Sequence, residues 1–144
     1  MIDARREAIV AAARCWIGTP YLHQASLMGV GCDCLGLVRG VWRDVIGPEP
    51  EQAGAYSADW AEACGREDLV LAGRRHFIPV ATSAFEAGDV LLFRWREGVP
   101  AKHLAIAVSS SSMIHAHDGA CVCETALAPF WKRRIAYAFA FPPA

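Results

Sequence analysis

The chain has 144 residues, 54% of them hydrophobic and 20% charged, with a formal net charge of -1. That length and apolar content support one domain, residues 1–144, with a core of its own, and exclude a largely disordered chain. Charges of both signs are dispersed without a Lys/Arg stripe, and no apolar stretch is long enough to span a bilayer, so neither nucleic acid nor membrane is an expected partner.

In chain order, the first expected element is a helix from Asp3 to about Cys15. Asp3 is its cap, and Ile9, Val10, Ala13 and Trp16 share one face. Gly18-Thr19-Pro20 stops it, and Tyr21 to Gly31 reads as a loop. A second helix runs from about Cys34 to Ile46, with Leu37, Val38, Val41, Trp42 and Val45 at helical spacing and Gly47-Pro48 as its stop. Ser57 to His76 has a helical pattern split near Gly65. After that the pattern turns extended: Phe77–Val80, Val90–Trp95 behind an Ala87-Gly88-Asp89 turn, His103–Val108 behind Gly98-Val99-Pro100, and Ile135–Phe141. Met113–His117 and Ala120–Glu124 read as a hairpin around Asp118-Gly119, a favoured hairpin dipeptide. Helices first and strands after, with tight turns between them, predict an α+β fold with N-terminal helices packed on an antiparallel sheet.

The start of the chain is charged, and its first apolar stretch is broken by Arg14, so a secretory signal is not expected and synthesis in the cytoplasm is. In that setting the six cysteines read as reduced thiols rather than a disulfide framework. Cys15 and Cys64 read as helix-core thiols. Trp42, Trp60, Trp95 and Trp131 read as core or cleft wall, and His23 and His76 as structural.

Cys34 stands at the start of the second helix. The helix dipole and the free N–H groups there favour the thiolate, which is the nucleophilic form. His103 is the candidate base, pairing with the thiol and later protonating a leaving amine. It needs a partner on its second ring nitrogen. His115 and His117, two apart in a strand, share a face, and the residues alone leave open which of them serves. Asp33 suits a helix cap better than a base, since its charge opposes thiolate formation. The Cys34 N–H is a natural oxyanion donor.

Asp33-Cys34-Leu35-Gly36-Leu37-Val38 resembles the Asp-Cys-Ser-Gly-Leu-Val segment of NlpC-type cell-wall cysteine peptidases, a papain-like group. Gly18-Thr19-Pro20-Tyr21, Gly88-Asp89-Val90-Leu91-Leu92-Phe93, His103-Leu104-Ala105-Ile106-Ala107-Val108 and Ile114-His115-Ala116 resemble further segments of that family in the same order. The resemblance implies a papain-like α+β fold and Cys34, His103 and His115 as the catalytic set. It also implies Tyr21 and Asp33 on the substrate side, and neither cofactor nor metal. The implied reaction is hydrolysis of peptidoglycan stem peptides, usually between γ-D-glutamate and a diamino acid. Leu35 in place of serine, the missing Trp-Gly-Gly after Tyr21 and the long stretch between Cys34 and His103 are similar to the branch found in phage and gene-transfer-particle tails. That branch implies tail proteins as partners and delivery to the wall in a particle.

Three rival readings stand beside it. Cys32/Cys34, Cys121/Cys123, His115 and His117 offer enough ligands for a tetrahedral zinc site. The fold can serve as a non-catalytic tail or wall-binding module. A thioester intermediate can also pass its acyl group to an amine, giving an acyltransferase.

Overall fold

A computed structural model describes residues 3–51, 68–117 and 119–143. Helix α1 spans Ala4–Arg14; the Asp3 carboxylate caps it by accepting from the Arg6 N–H. A two-residue pair, β1 (Ser26–Leu27) and β2 (Gly31–Cys32), leads into helix α2 (Cys34–Val45). Helix α3 (Asp68–His76) follows, and then the strands β3 (Ile78–Val80), β4 (Val90–Phe93), β5 (His103–Ala107), β6 (Ser112–His115), β7 (Cys123–Ala126) and β8 (Ile135–Ala140). A short helix, α4 (Pro129–Lys132), precedes β8. The strands form one antiparallel sheet in the order β3-β8-β4-β5-β6-β7. The α+β architecture expected from the sequence is the observed one.

β4 and β5 are buried at every position, with no polar alternation. Both faces of the sheet are covered, which removes the solvent face that would impose alternation. One face carries Val90, Leu92, Leu104, Ile106, Ile114 and Phe139 against Ile9, Ala13, Trp16, Leu37, Val38 and Val41 of the helical layer. The other carries Leu91, Phe93, Ala105, Ala107, Met113 and Ala138 under Leu127, Trp131 and Ile135. Arg6 ties α1 to the head of β4 through a 2.7 Å ion pair with the buried Asp89 carboxylate.

α1 and α2 approach closely because residue 40 has no side chain. A Cβ on Gly40 would stand 2.0 Å from Cζ2 of the buried Trp16 ring. Gly40→Ala is therefore expected to destabilise the fold by roughly 2 kcal/mol through overpacking. The thermal midpoint should fall by roughly 5–10 °C; an unchanged melting curve would show that Trp16 can move without cost.

Three local expectations need correction, and a fourth lies partly outside the described residues. Cys15 is exposed at the end of α1, and the core position is filled by Trp16. Tyr21–Gly31, read as loop, contains the β1–β2 pair. Only residues 68–76 of the expected Ser57–His76 helix are described and helical; Trp60, Cys64 and Gly65 lie outside the described residues. The expected hairpin is β6 with β7, its turn closed by the Ala120 N–H on the His117 carbonyl, but its ladder stops at His115↔Cys123 instead of running on to His117 and Ala120. The reason is competition for backbone partners. Residues 120–122 are drawn to the segment 18–21, through Gly18 N–H to Val122 O, Val122 N–H to Thr19 O and Tyr21 N–H to Ala120 O.

Candidate active site

Cys34 is the first residue of α2, and Asp33 is its cap. The Asp33 carboxylate accepts from the Gly36 N–H and from the Gln24 N–H, each at 2.7 Å, with His23 Nδ1 3.7 Å away. Gln24 has φ of 67°, in the left-handed region that a side chain resists, and the Asp33 contact holds it there. Ser26 Oγ donates to the Gly36 carbonyl at 2.6 Å, and a Cβ on Gly36 would stand 1.9 Å from the Ala25 carbonyl oxygen. The loop before the nucleophile thus rests on the first turn of α2, which only glycine permits. Tyr21 is placed by its bridge to Cys32, and it packs, as Cys34 does, against the core on the helical side of the sheet.

The Cys34 S–H donates to the Lys102 carbonyl, with Sγ and oxygen 3.8 Å apart, one residue before His103. Burial, and after it the Asp33 charge, push the thiol up to about 12. The N–H groups of Leu104, Leu35 and Cys34 act the other way and are outweighed. That shift favours the protonated thiol at Cys34. The helix start alone does not deliver the thiolate expected from the sequence, because the buried sulfur loses more from water than it gains from the dipole.

His103 opens β5 opposite Phe93 and is buried. Its Nε2 lies 2.9 Å from His115 Nδ1, and His115 Nε2 lies 3.0 Å from Thr125 Oγ1 on β7. One assignment of protons satisfies this chain and leaves a base. His115 Nε2–H donates to Thr125, His103 Nε2–H donates to His115 Nδ1, and His103 Nδ1 keeps its lone pair for the thiol proton. Burial and the neighbouring imidazoles of His115 and His117 hold His103 well below its ordinary range, and burial with His117 lowers His115 to about 4. Both rings are neutral at pH 7, the form a base requires.

His117 lies beyond the end of β6, with its ring 5.6 Å from His115 and 5.7 Å from His103. It makes no hydrogen bond to His103, so between the two candidates the geometry gives the partner position to His115. Trp95 stacks on His103 at 5.4 Å, and Trp131 faces the same ring at 5.6 Å. These two indoles are the wall of the site, while Trp42 sits in the core. Thr125 and the Lys102 carbonyl had no signal in the sequence: a threonine ten residues past a histidine becomes its partner only through the pairing of β6 with β7.

The cysteine-rich metal set of the rival zinc reading is not brought together among the described residues. Cys32 is buried and Cys121 exposed, and the metal-ligating group found among the described residues is His103, His115 and His117, without a cysteine. His23 stands by the Asp33 carboxylate, outside the histidine cluster, and His76 lies on Glu51 at 2.7 Å.

The profile of the NlpC/P60 family matches residues 18–139, which include every residue of the site just described. The chain belongs to the NlpC/P60 family. Solved structures with the same fold include the NlpC/p60 domain of the peptidoglycan hydrolase SagA, 28% identical over 94% of this chain and 98% of that one, with a TM-score of 0.64. An NlpC/P60 family protein from Bacillus cereus is 19% identical over 96% of this chain and 40% of that one, with a TM-score of 0.70. NlpC2 from Trichomonas vaginalis is 15% identical over 98% of this chain and 49% of that one, with a TM-score of 0.64. This NlpC/P60 domain spans less than half the length of the Bacillus and Trichomonas proteins. A search of the curated proteins found no match. Among the described residues, no helix is long and apolar enough to cross a membrane.

The protonated resting thiol has a measurable consequence. Alkylation of Cys34 in the folded protein should rise about tenfold per pH unit from about pH 7 to about pH 10, without levelling, because only the thiolate reacts. Asp33→Asn keeps a capping oxygen but removes a charge that raises the thiol, so Cys34 should alkylate faster at every pH in that range. Peptide mass analysis of labelled Cys34 reads both effects. A plateau near neutral pH in the parent protein would show a preformed thiolate instead.

Proposed function

We propose that this domain is a cysteine peptidase that hydrolyses peptidoglycan stem peptides at the bond between γ-D-glutamate and the diamino acid. The observation that carries this reading is the chain of contacts from Thr125 through His115 to His103, set at the head of β5 one residue from the carbonyl that holds the Cys34 thiol. The description of SagA as a peptidoglycan hydrolase, at 28% identity over nearly all of both chains, supports the substrate class.

In this reading the thiol turns from the Lys102 carbonyl and gives its proton to His103 Nδ1 as sulfur attacks the peptide carbonyl carbon. The carbonyl electrons move to oxygen, and the Cys34 N–H is the donor that meets the developing oxyanion. His103 then passes the proton to the departing amine, leaving a thioester on Cys34. Water, deprotonated by the same imidazole, releases the acid and restores the thiol. His115 fixes the tautomer and angle of His103. Tyr21, and the loop that Asp33 holds, form the substrate side. The departures at Leu35 and after Tyr21 are what support a phage or phage-like tail as the setting, with a tail protein as carrier to the wall.

Defined muropeptides incubated with the reduced protein and read by mass spectrometry test the reaction. Cleavage next to the diamino acid is the expected result. Intact peptides with an unreactive Cys34 would favour the binding-module reading, and a product carrying an added amine would mark acyl transfer. Detection of the chain in purified particles tests the tail setting.

A further inference from the structure

His103, His115 and His117 each offer a ring nitrogen, and these three atoms lie within 4.8 Å of one another. Catalysis in the reading above uses two of these rings. The third, His117, stacks on His115 at an interplanar angle of 26° and has no part in the relay. We propose that the three imidazoles form a binding site for Zn2+ and that the bound ion switches the hydrolase off; the inhibitory half of this proposal rests on the peptidase reading.

Zinc binds imidazole nitrogen at about 2.0–2.1 Å, so three ligands of a tetrahedral ion stand about 3.4 Å apart. The present separations are of that order: His103 Nε2 and His115 Nδ1 stand 2.9 Å apart, and one nitrogen from each of the three rings lies within 4.8 Å of the others. Closing on an ion needs adjustments of roughly an ångström at most at ring positions, within reach of small side-chain rotations. A neutral all-nitrogen set suits zinc and its neighbours in the transition series and does not suit Mg2+ or Ca2+, which take oxygen. Thr125 already holds the far nitrogen of His115, the outer contact that orients a ligating histidine. The Trp131 ring stands 5.2–5.8 Å from all three imidazoles and walls the cluster on one side.

The switch follows from proton positions. An ion on His103 Nε2 displaces the proton from that nitrogen, and the neutral ring carries it on Nδ1 instead. That nitrogen is the one that must accept the Cys34 proton. Zinc binding therefore moves one proton across the ring, breaks the His103–His115 hydrogen bond and leaves no base, with no change in the protein's covalent structure.

The test uses the full chain, stripped with a chelator and dialysed against Zn2+, with bound metal measured by elemental analysis. One ion per chain is expected, with no binding of Mg2+. His117→Gln should weaken zinc binding at least about tenfold, whereas Cys34→Ser should not. Co2+ as a spectroscopic stand-in should give the bands of a nitrogen-ligated tetrahedral ion without thiolate charge transfer. Stem-peptide cleavage, each protein compared with its own chelated rate, should fall on zinc loading at lower zinc for the parent than for His117→Gln. Unchanged affinity in His117→Gln, thiolate bands with cobalt, or a rate unaffected or raised by zinc would overturn the proposal. If the chelated protein cleaves nothing, the peptidase reading is what fails, and dialysis still decides the metal site.

Discussion

Cys34→Ala is expected to lower cleavage of stem peptides by on the order of 10^4-fold or more, with the fold intact. The size follows from the loss of the only atom that can form the acyl intermediate; removing a nucleophile of this kind leaves only binding and oxyanion contacts. The fold survives because the sulfur makes one weak contact, to the Lys102 carbonyl, and α2 keeps its Asp33 cap. A circular-dichroism melt within about 1 kcal/mol of the parent separates chemistry from stability. Cys34→Ser should fail nearly as badly, since a hydroxyl in the same buried setting beside Asp33 is far harder to ionise than the thiol. Undiminished cleavage by Cys34→Ala would remove the enzyme reading altogether.

His103→Gln should cost about 10^2–10^4-fold, the range for losing a general base, and His115→Gln should cost less. The two differ in the pH profile. In the parent protein the base is held neutral by burial, His115 and His117, so activity should persist below pH 6.5 and fall only when His103 takes a proton. Removing His115 takes away one of the influences that lower His103, so the acid limb of His115→Gln should move up toward the ordinary histidine range. A structural role for His115 would reduce the rate without moving that limb. Initial rates on a muropeptide across about pH 4 to about pH 8 distinguish these outcomes. An acid limb that stays in place in His115→Gln would assign His115 to packing.

Periodicity carried much of the fold. The apolar spacing of Leu37, Val38, Val41 and Trp42 specifies α2, and Gly47 ends it, because helix signals are local and repeat every few residues. The same holds for the continuous apolar runs of β4 and β5 and for the Asp33 cap. The hairpin expected around Asp118-Gly119 forms, and only its ladder is shorter than expected, because residues 120–122 bond instead to residues 18–21, about one hundred positions earlier. Cys15 misled for a related reason: the helical face it occupies turns outward at the last turn, where Trp16 reaches the core in its place.

The candidate reacting groups were legible in the sequence: a cysteine at a helix start, a histidine at a strand start and a second histidine at a strand end, in family order. These are properties of residue type and local pattern, which no packing alters. What the tertiary structure decided is their state and their partners. The pairing of β6 with β7 brings Thr125 to His115, and the seating of α2 beside the head of β5 buries the Cys34 thiol next to Asp33 and keeps it protonated. Burial and long-range proximity set ionisation and hydrogen bonding, and neither is encoded at any single position along the chain.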